Sequence, residues 1–225
     1  MGKAILTFEH VTGKGRKFHL EDICFELMPG YICGLIGENG AGKTTLIKSV
    51  MDDKYRYKGR ILIEGEDIRS NHAQIKNRIG FVSEDQRFFD ELSAKQNVEI
   101  LGNFYDRFDM NLWMEMMKEM DVPSSKRYQK MSRGEKLKFQ LSFAIAQQPC
   151  LYLIDEATAG MDPVFRKEFF EILQRLIVDE QASILMTSHI VSEIQRKTDY
   201  VGVMKEGKLV TFTESIDWGR KIENR

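Results

Sequence analysis

No charge of one sign dominates this chain: among its 225 residues, 33 Lys and Arg face 34 Asp and Glu, a formal net charge of −1. The broad basic footprint that grips a nucleic-acid backbone is therefore missing, and no nucleic acid is expected as a partner. No apolar run approaches the ~20 residues needed to cross a bilayer. Met1 to His10 carry neither a long apolar core nor a small-residue cleavage site, so secretion is not expected. Cysteine is scarce. The three present, Cys24, Cys33 and Cys150, are widely spaced and flanked by apolar residues. Their number and spacing argue against a disulfide or zinc framework and predict buried free thiols in a reducing compartment. Internal repeats and low-complexity tracts are also absent. What is present, 42% hydrophobic and 30% charged residues, supplies a core and excludes disorder. The expectation is a soluble intracellular protein forming a single domain over residues 1–225, with an insertion.

Short strand-like runs open the chain, at Ala4 to Glu9, Phe18 to Leu27 and Tyr31 to Ile36, separated by the Gly/Lys-rich stretch Gly13 to Lys17 and by Pro29-Gly30. The third is apolar and ends in glycine, as a buried strand feeding a loop should. Thr45 to Met51 then suits a helix, and Arg60 to Ile63 and Ile79 to Ser83 suit strands. From about Phe88 to Gln148 the pattern turns helical and rich in Met, Lys, Glu and Leu. Met110, Met114, Met116, Met117 and Met120 crowd there, as adaptable packing rather than a metal site. Beyond it strands and helices alternate: Leu151 to Asp155, Pro163 to Val178, Ser183 to Thr187, Ile190 to Arg196 and Tyr200 to Lys205. Glu206-Gly207 then reads as a hairpin turn into Lys208 to Thr213. The fold class is α/β: a parallel α/β core, an N-terminal antiparallel β subdomain and an inserted helical subdomain at approximately residues 88–148.

Gly37-Glu38-Asn39-Gly40-Ala41-Gly42-Lys43-Thr44-Thr45 fits G-x-x-x-x-G-K-[ST] at every fixed position, between a buried strand and a helix. Glycines let the backbone curl so that successive N–H groups point inward at phosphate oxygens, and the following helix adds its N-terminal partial charge. Lys43 reaches the β- and γ-phosphates in such a P-loop, and the Thr44 hydroxyl binds Mg²⁺. Downstream, Leu151-Tyr152-Leu153-Ile154-Asp155-Glu156 is an apolar strand ending in two carboxylates. Asp155 is expected to hold Mg²⁺, directly or through water, and Glu156 to serve as general base for the attacking water.

These residues resemble the ATP-binding cassette (ABC) family, specifically its nucleotide-binding subunits. Met131-Ser132-Arg133-Gly134-Glu135 stands where the family carries its linker signature, usually L-S-G-G-Q. Ala159-Gly160-Met161-Asp162 resembles the D-loop, and Thr187-Ser188-His189 the switch-histidine segment. The motifs follow the family's order and the likeness runs from Ala4 to about Val210. Independently of family, Ser132 and Glu135 form an S-x-x-E capping box ahead of the periodic Leu137, Leu141, Ala144 and Ile145. The resemblance implies that Ser132, the Gly134 backbone and Glu135 face the γ-phosphate of ATP on an opposite, head-to-tail subunit. It also implies that His189 contacts the γ-phosphate of the ATP held in its own subunit and orients water and Glu156.

Four departures from the family pattern are visible. Arg133 replaces a glycine, either adding positive charge toward phosphate or projecting into solvent, and Glu135 replaces a glutamine. Glu84, in Phe81-Val82-Ser83-Glu84-Asp85-Gln86, stands where many members carry the metal-contacting glutamine of the Q-loop, with Gln86 as the alternative ligand. The aromatic that usually stacks on adenine is missing around Thr12 to Lys14, leaving Phe18 as a stacking residue or a core one. His10, His19 and His72 are expected to be surface or packing residues, and Lys126 to Lys138 a solvated face.

The resemblance implies an ATPase that binds ATP and Mg²⁺ and works as a pair with a second ATPase subunit. It would sit on the cytoplasmic face of the membrane, bound to separate membrane-spanning permease subunits. Asp162 to Phe169, and the near-absence of a C-terminal regulatory domain, resemble small exporter-type cassettes. The alternative is a soluble ABC ATPase without a transport role, an assembly scaffold or a chromosome or repair factor.

Overall fold

Alternation, broken by one extra residue between Leu20 and Ile23, puts Leu20, Ile23, Phe25 and Leu27 on one face of a strand, whereas Ile32 to Ile36 is buried on both faces. The two patterns belong to two different sheets. The computed structural model describes residues 3–14, 19–84, 86–158, 161–180 and 182–218. In chain order the strands are β1 (Leu6–Lys14), β2 (His19–Leu27), β3 (Ile32–Ile36), β4 (Tyr57–Ile63), β5 (Glu66–Asp67), β6 (Ile79–Ser83), β7 (Leu151–Asp155), β8 (Ser183–Thr187), β9 (Tyr200–Lys205) and β10 (Lys208–Glu214). The helices are α1 (Lys43–Met51), α2 (His72–Lys76), α3 (Ala94–Leu101), α4 (Met110–Glu119), α5 (Arg133–Ala146), α6 (Pro163–Glu180) and α7 (Val191–Lys197).

One sheet is antiparallel, in the order β2-β1-β4-β5, with one face buried and one solvated. The other has the order β10-β9-β3-β8-β7-β6, parallel except for its β10 edge. Both sheets share a core around Leu35, Leu46, Ile47, Leu153 and Leu185. Phe25 joins them by stacking on Phe8 at 4.8 Å and meeting Phe212 at 5.1 Å. The opposite face of the parallel sheet is covered by α5 and α6 through Phe139, Phe143, Phe169 and Leu173.

Three helices, α3 to α5, lie between β6 and β7 and pack on an aromatic cluster. Phe88 sits 4.7 Å from Phe139 and 5.4 Å from Phe143, and Trp113, fully buried, meets Phe139 edge-on. Met116, Met117 and Met120 are core here, while Met114 is exposed. Three expectations need correction. Cys24 is exposed, because it points outward between the inward-facing Ile23 and Phe25; Cys33 is buried and Cys150 partly so. The Lys126 to Lys138 stretch is not simply solvated: Lys126 pairs with Glu135, and Lys136 and Lys138 sit over the rings of Tyr128 and Phe165. Strand β1 runs on through Gly13 and Lys14, where a turn was expected.

Candidate functional site: a phosphate cradle and its carboxylates

Parallel pairing brings the carboxyl ends of the core strands level. Leu35 of β3 lies opposite Thr187 of β8, and Ser83 of β6 opposite Asp155 of β7. In an open α/β sheet that edge is where ligands bind. The P-loop, Glu84, Glu156 and His189 follow these strand ends, whereas the signature segment opens α5.

Between β3 and α1 the chain makes the expected cradle. Gly42 takes φ +110° as N-cap of α1, and Gly40 takes φ +84°. Any side chain would be strained there. Gly37 is needed for a different reason: a Cβ would come within 2.4 Å of the Met204 carbonyl oxygen. The turn after β9 braces the loop, since the Gly207 N–H donates to the Ala41 oxygen at 3.0 Å. Lys43 is 3% exposed, and its ammonium bridges the loop by donating to the Gly37 oxygen at 2.9 Å and the Glu38 oxygen at 3.3 Å. It also lies 3.3 Å from Glu156 Oε1. Asn39 is exposed at the rim, and Thr45 lies in the first turn of α1.

The metal-type oxygens converge on Asp155. Its Oδ1 accepts from the Thr44 hydroxyl at 3.1 Å and the Thr187 hydroxyl at 2.8 Å. Thr187 also accepts from the backbone N–H of Glu156 at 2.9 Å. One threonine, which the sequence reading used only as part of a segment, therefore orients both carboxylate residues. Burial pushes the Asp155 carboxyl above its usual range, and the neighbouring Glu156 charge adds to this. A buried anion held by two hydroxyls and raised in pKa favours a cation. The residues present thus fit a hard divalent ion, with Thr44 and Asp155 as its oxygen ligands. Glu156 takes φ +50° straight after the strand, a strained conformation for a residue with a side chain. That turn swings its carboxylate toward Lys43. His189 is exposed, directly after buried Ser188, whose N–H donates to the Leu35 oxygen at 3.1 Å.

The signature segment forms the capping box expected of it. Ser132 Oγ accepts from the Glu135 N–H at 3.2 Å, and Glu135 Oε2 accepts from the Ser132 N–H at 2.8 Å. Lys126 grips both oxygens of Glu135 at 2.7 Å and holds its carboxyl below the usual range. Gly134 faces open space, with nothing within 4 Å of a Cβ built there. The helix start is thus unobstructed. Two departures meet: Arg133 Nε pairs with Glu84 Oε1. Glu84 follows β6, next to the Asp155 strand, yet its carboxylate is engaged by the signature arginine. Gln86 Oε1 is buried without a hydrogen-bond partner among the described residues. Both line a cleft of about 650 Å³ that Phe88, Tyr128, Arg133 and Met161 also border. Asp162 caps α6, its Oδ1 accepting from the N–H groups of Val164 and Phe165 at 3.0 and 2.9 Å. Phe18, Ala159 and Gly160 lie outside the described residues.

Residues 20–159 match the sequence profile of the family described as "ABC transporter". The chain belongs to the ABC transporter family. Within it, the chain is an ATP-binding subunit. It is 32% identical over 195 residues to the ABC transporter ATP-binding protein YtrB of Bacillus subtilis (strain 168), covering 87% of this chain and 66% of that protein. It is 31% identical over 212 residues to the bacitracin transport ATP-binding protein BcrA of Bacillus licheniformis, covering 93% and 69%. The chain thus spans about two thirds of the length of these relatives. Among solved structures it resembles an ATP-binding subunit of an ABC transporter, with TM-score 0.85, 24% identity and coverage of 98% and 94% of the two chains. A dimeric post-hydrolysis ATP-binding cassette with ADP and Pi has TM-score 0.83 at 19% identity, covering 93% and 98%. At those identities the likeness is one of fold. No helix among the described residues is long and apolar enough to cross a membrane.

Proposed function

We propose that this ABC subunit hydrolyses ATP to power transport through separate membrane-spanning subunits, working as a head-to-tail pair. The observation that carries the reading is the single hydrogen-bonded unit formed by Thr44, Asp155, Thr187 and Glu156 beside Lys43. The loop from Gly37 to Gly42 and Lys43 hold the triphosphate, releasing the Lys43 ammonium from its own loop carbonyls. Thr44 and Asp155 hold Mg²⁺, with Glu84 or Gln86 as a further oxygen donor; the ion neutralises charge on the phosphates. Glu156 takes a proton from the water that attacks the γ-phosphorus, the β,γ bridging oxygen leaves with ADP, and His189 orients the water from the neighbouring strand end.

The head-to-tail pairing is supported by the unobstructed N-terminus of α5. Ser132 and Gly134 are free to receive the γ-phosphate of a second subunit, and the helix dipole favours that anion. Between the Glu84–Phe88 segment and α5, the cleft offers the membrane subunits a surface continuous with the site. In this reading the subunit sits at the cytoplasmic face of the membrane, bound through its partner. Relatives carry transport names, one for bacitracin. The exporter-like Asp162 to Phe169 stretch favours export.

Turnover tests the reading. Glu156→Gln should retain ATP binding and lose about 10²–10⁴-fold in hydrolysis, the scale of general-base catalysis. Steady-state hydrolysis equal to wild type would remove Glu156 from the mechanism.

A further inference from the structure

On the solvated face of the antiparallel sheet, three unlike side chains converge. The β1–β2 register runs Phe8↔Phe25, then Val11↔Ile23, then Gly13↔Leu20. Glu9 and His10 are thus set against Cys24 alone, and Glu21 and Asp22 against Thr12 alone. Each strand carries a bulge, and the two are adjacent. At both, the extra residue bears a side chain yet takes φ +50°: His10 on β1 and Asp22 on β2. Bulges re-aim side chains, and these two bring imidazole and carboxylate over the same thiol. His10 Nδ1 lies 2.8 Å from Asp22 Oδ1 and 3.5 Å from Cys24 Sγ. One ligand atom of each residue lies within 4.8 Å of the others.

The surrounding contacts hold this arrangement. The His10 N–H donates to Cys24 Sγ at 3.2 Å, and the Asp22 N–H donates to Thr12 Oγ1 at 3.0 Å. Nitrogen, oxygen and sulfur together match a borderline-soft divalent cation, not Mg²⁺. Zn–S and Zn–N bonds of about 2.3 and 2.0–2.1 Å subtend an edge of roughly 3.5 Å in a tetrahedron. The Cys24–His10 spacing already has that length, and His10 and Asp22 need part only slightly.

We propose that His10, Asp22 and Cys24 form a surface site for a thiophilic divalent cation of the Zn²⁺ class, with the fourth position open to water. Here the ion staples the two bulges of β1 and β2 together. The thiol loses its proton on binding, so affinity falls as pH falls. No nucleotide residue takes part, and the site stands or fails apart from the ATPase reading.

Metal-stripped full-length protein without nucleotide is titrated with Co²⁺, then with Zn²⁺. One equivalent of Co²⁺ should give thiolate-to-cobalt charge-transfer absorption, and Zn²⁺ should abolish it. Zn²⁺ should also shield one thiol from a disulfide reagent. Cys24→Ser should remove the charge-transfer band. His10→Ala and Asp22→Ala should each weaken binding by about tenfold or more, while Lys43→Ala leaves it intact. Circular dichroism and ATP affinity verify that the Cys24, His10 and Asp22 variants are folded. A band that survives Cys24→Ser, or no band in folded wild type, would overturn the proposal.

Discussion

Thr187 sets the chemistry of the site at the scale of a single residue. Its hydroxyl donates to Asp155 and accepts from the Glu156 N–H, so one side chain fixes the proposed metal carboxylate and the start of the strained turn at Glu156, the proposed base. Asp155 itself is a liability in the ligand-free protein. Its carboxyl is held above the usual range mainly by burial, so the folded chain binds a proton more tightly than the unfolded one. Stability is then lost as pH rises from the ordinary carboxylate value through the folded value. Asp155→Asn keeps the acceptor oxygen for Thr44 and Thr187 and removes the buried charge. Free of nucleotide and metal, this variant should melt above wild type at neutral pH, with the gap closing in acid. Mg²⁺-dependent hydrolysis should drop about 10²–10³-fold, the scale of losing one electrostatic stabiliser. A lower melting temperature at neutral pH would show that the charge is already compensated.

Arg133 and Glu84 are the other informative pair at this scale. Both are about half exposed, so their ion pair contributes at most ~1 kcal/mol. It still competes with any metal for the Glu84 carboxylate. Arg133→Met should therefore lower the Mg²⁺ concentration for half-maximal ATPase by about fivefold at most, the equivalent of ~1 kcal/mol, and Glu84→Gln should raise it. A titration in which only Gln86→Ala shifts the dependence assigns the ligand to Gln86, whose buried oxygen has no partner among the described residues.

At the scale of elements, α5 couples the signature to the core. Its first turn presents Ser132 and Gly134, while Phe139, fully buried, touches Phe88, Trp113, Tyr128 and Phe143. Phe139→Ala should cost about 3–5 kcal/mol, the range for emptying an aromatic core position, read by chemical denaturation. A loss under 1 kcal/mol would mean that this cluster does not anchor the helix.

The motifs were legible because each is local. A glycine loop between a buried strand and a helix, an apolar strand ending in Asp-Glu, and a capping box are short patterns with one physical solution each. Elements β5 and α2, of two and five residues, are too short to leave a periodic pattern. Cys24 was misplaced because flanking apolar residues predict burial only if alternation is ignored. Its meeting with His10 and Asp22 depends on two bulges, which no composition rule signals. The same holds for Arg133 and Glu84: each was visible as a departure, but their pairing needs the whole α3–α5 insertion to fold back on the end of β6.

For the whole molecule, the account is of half a machine. One edge of the parallel sheet carries the cradle, Asp155, Glu156 and His189, while Ser132 and Gly134 open α5 in the helical insertion. In the proposed head-to-tail pair, a second copy or a relative brings signature and cradle together. The most direct test is the mass of the ATP complex in solution, by light scattering or sedimentation, for Glu156→Gln with and without Ser132→Arg. The account predicts that Glu156→Gln forms an ATP-dependent dimer. Adding Ser132→Arg should leave a monomer that still binds ATP through Lys43. An ATP-dependent dimer of undiminished affinity in the double variant would contradict it, reducing Ser132 to a helix cap.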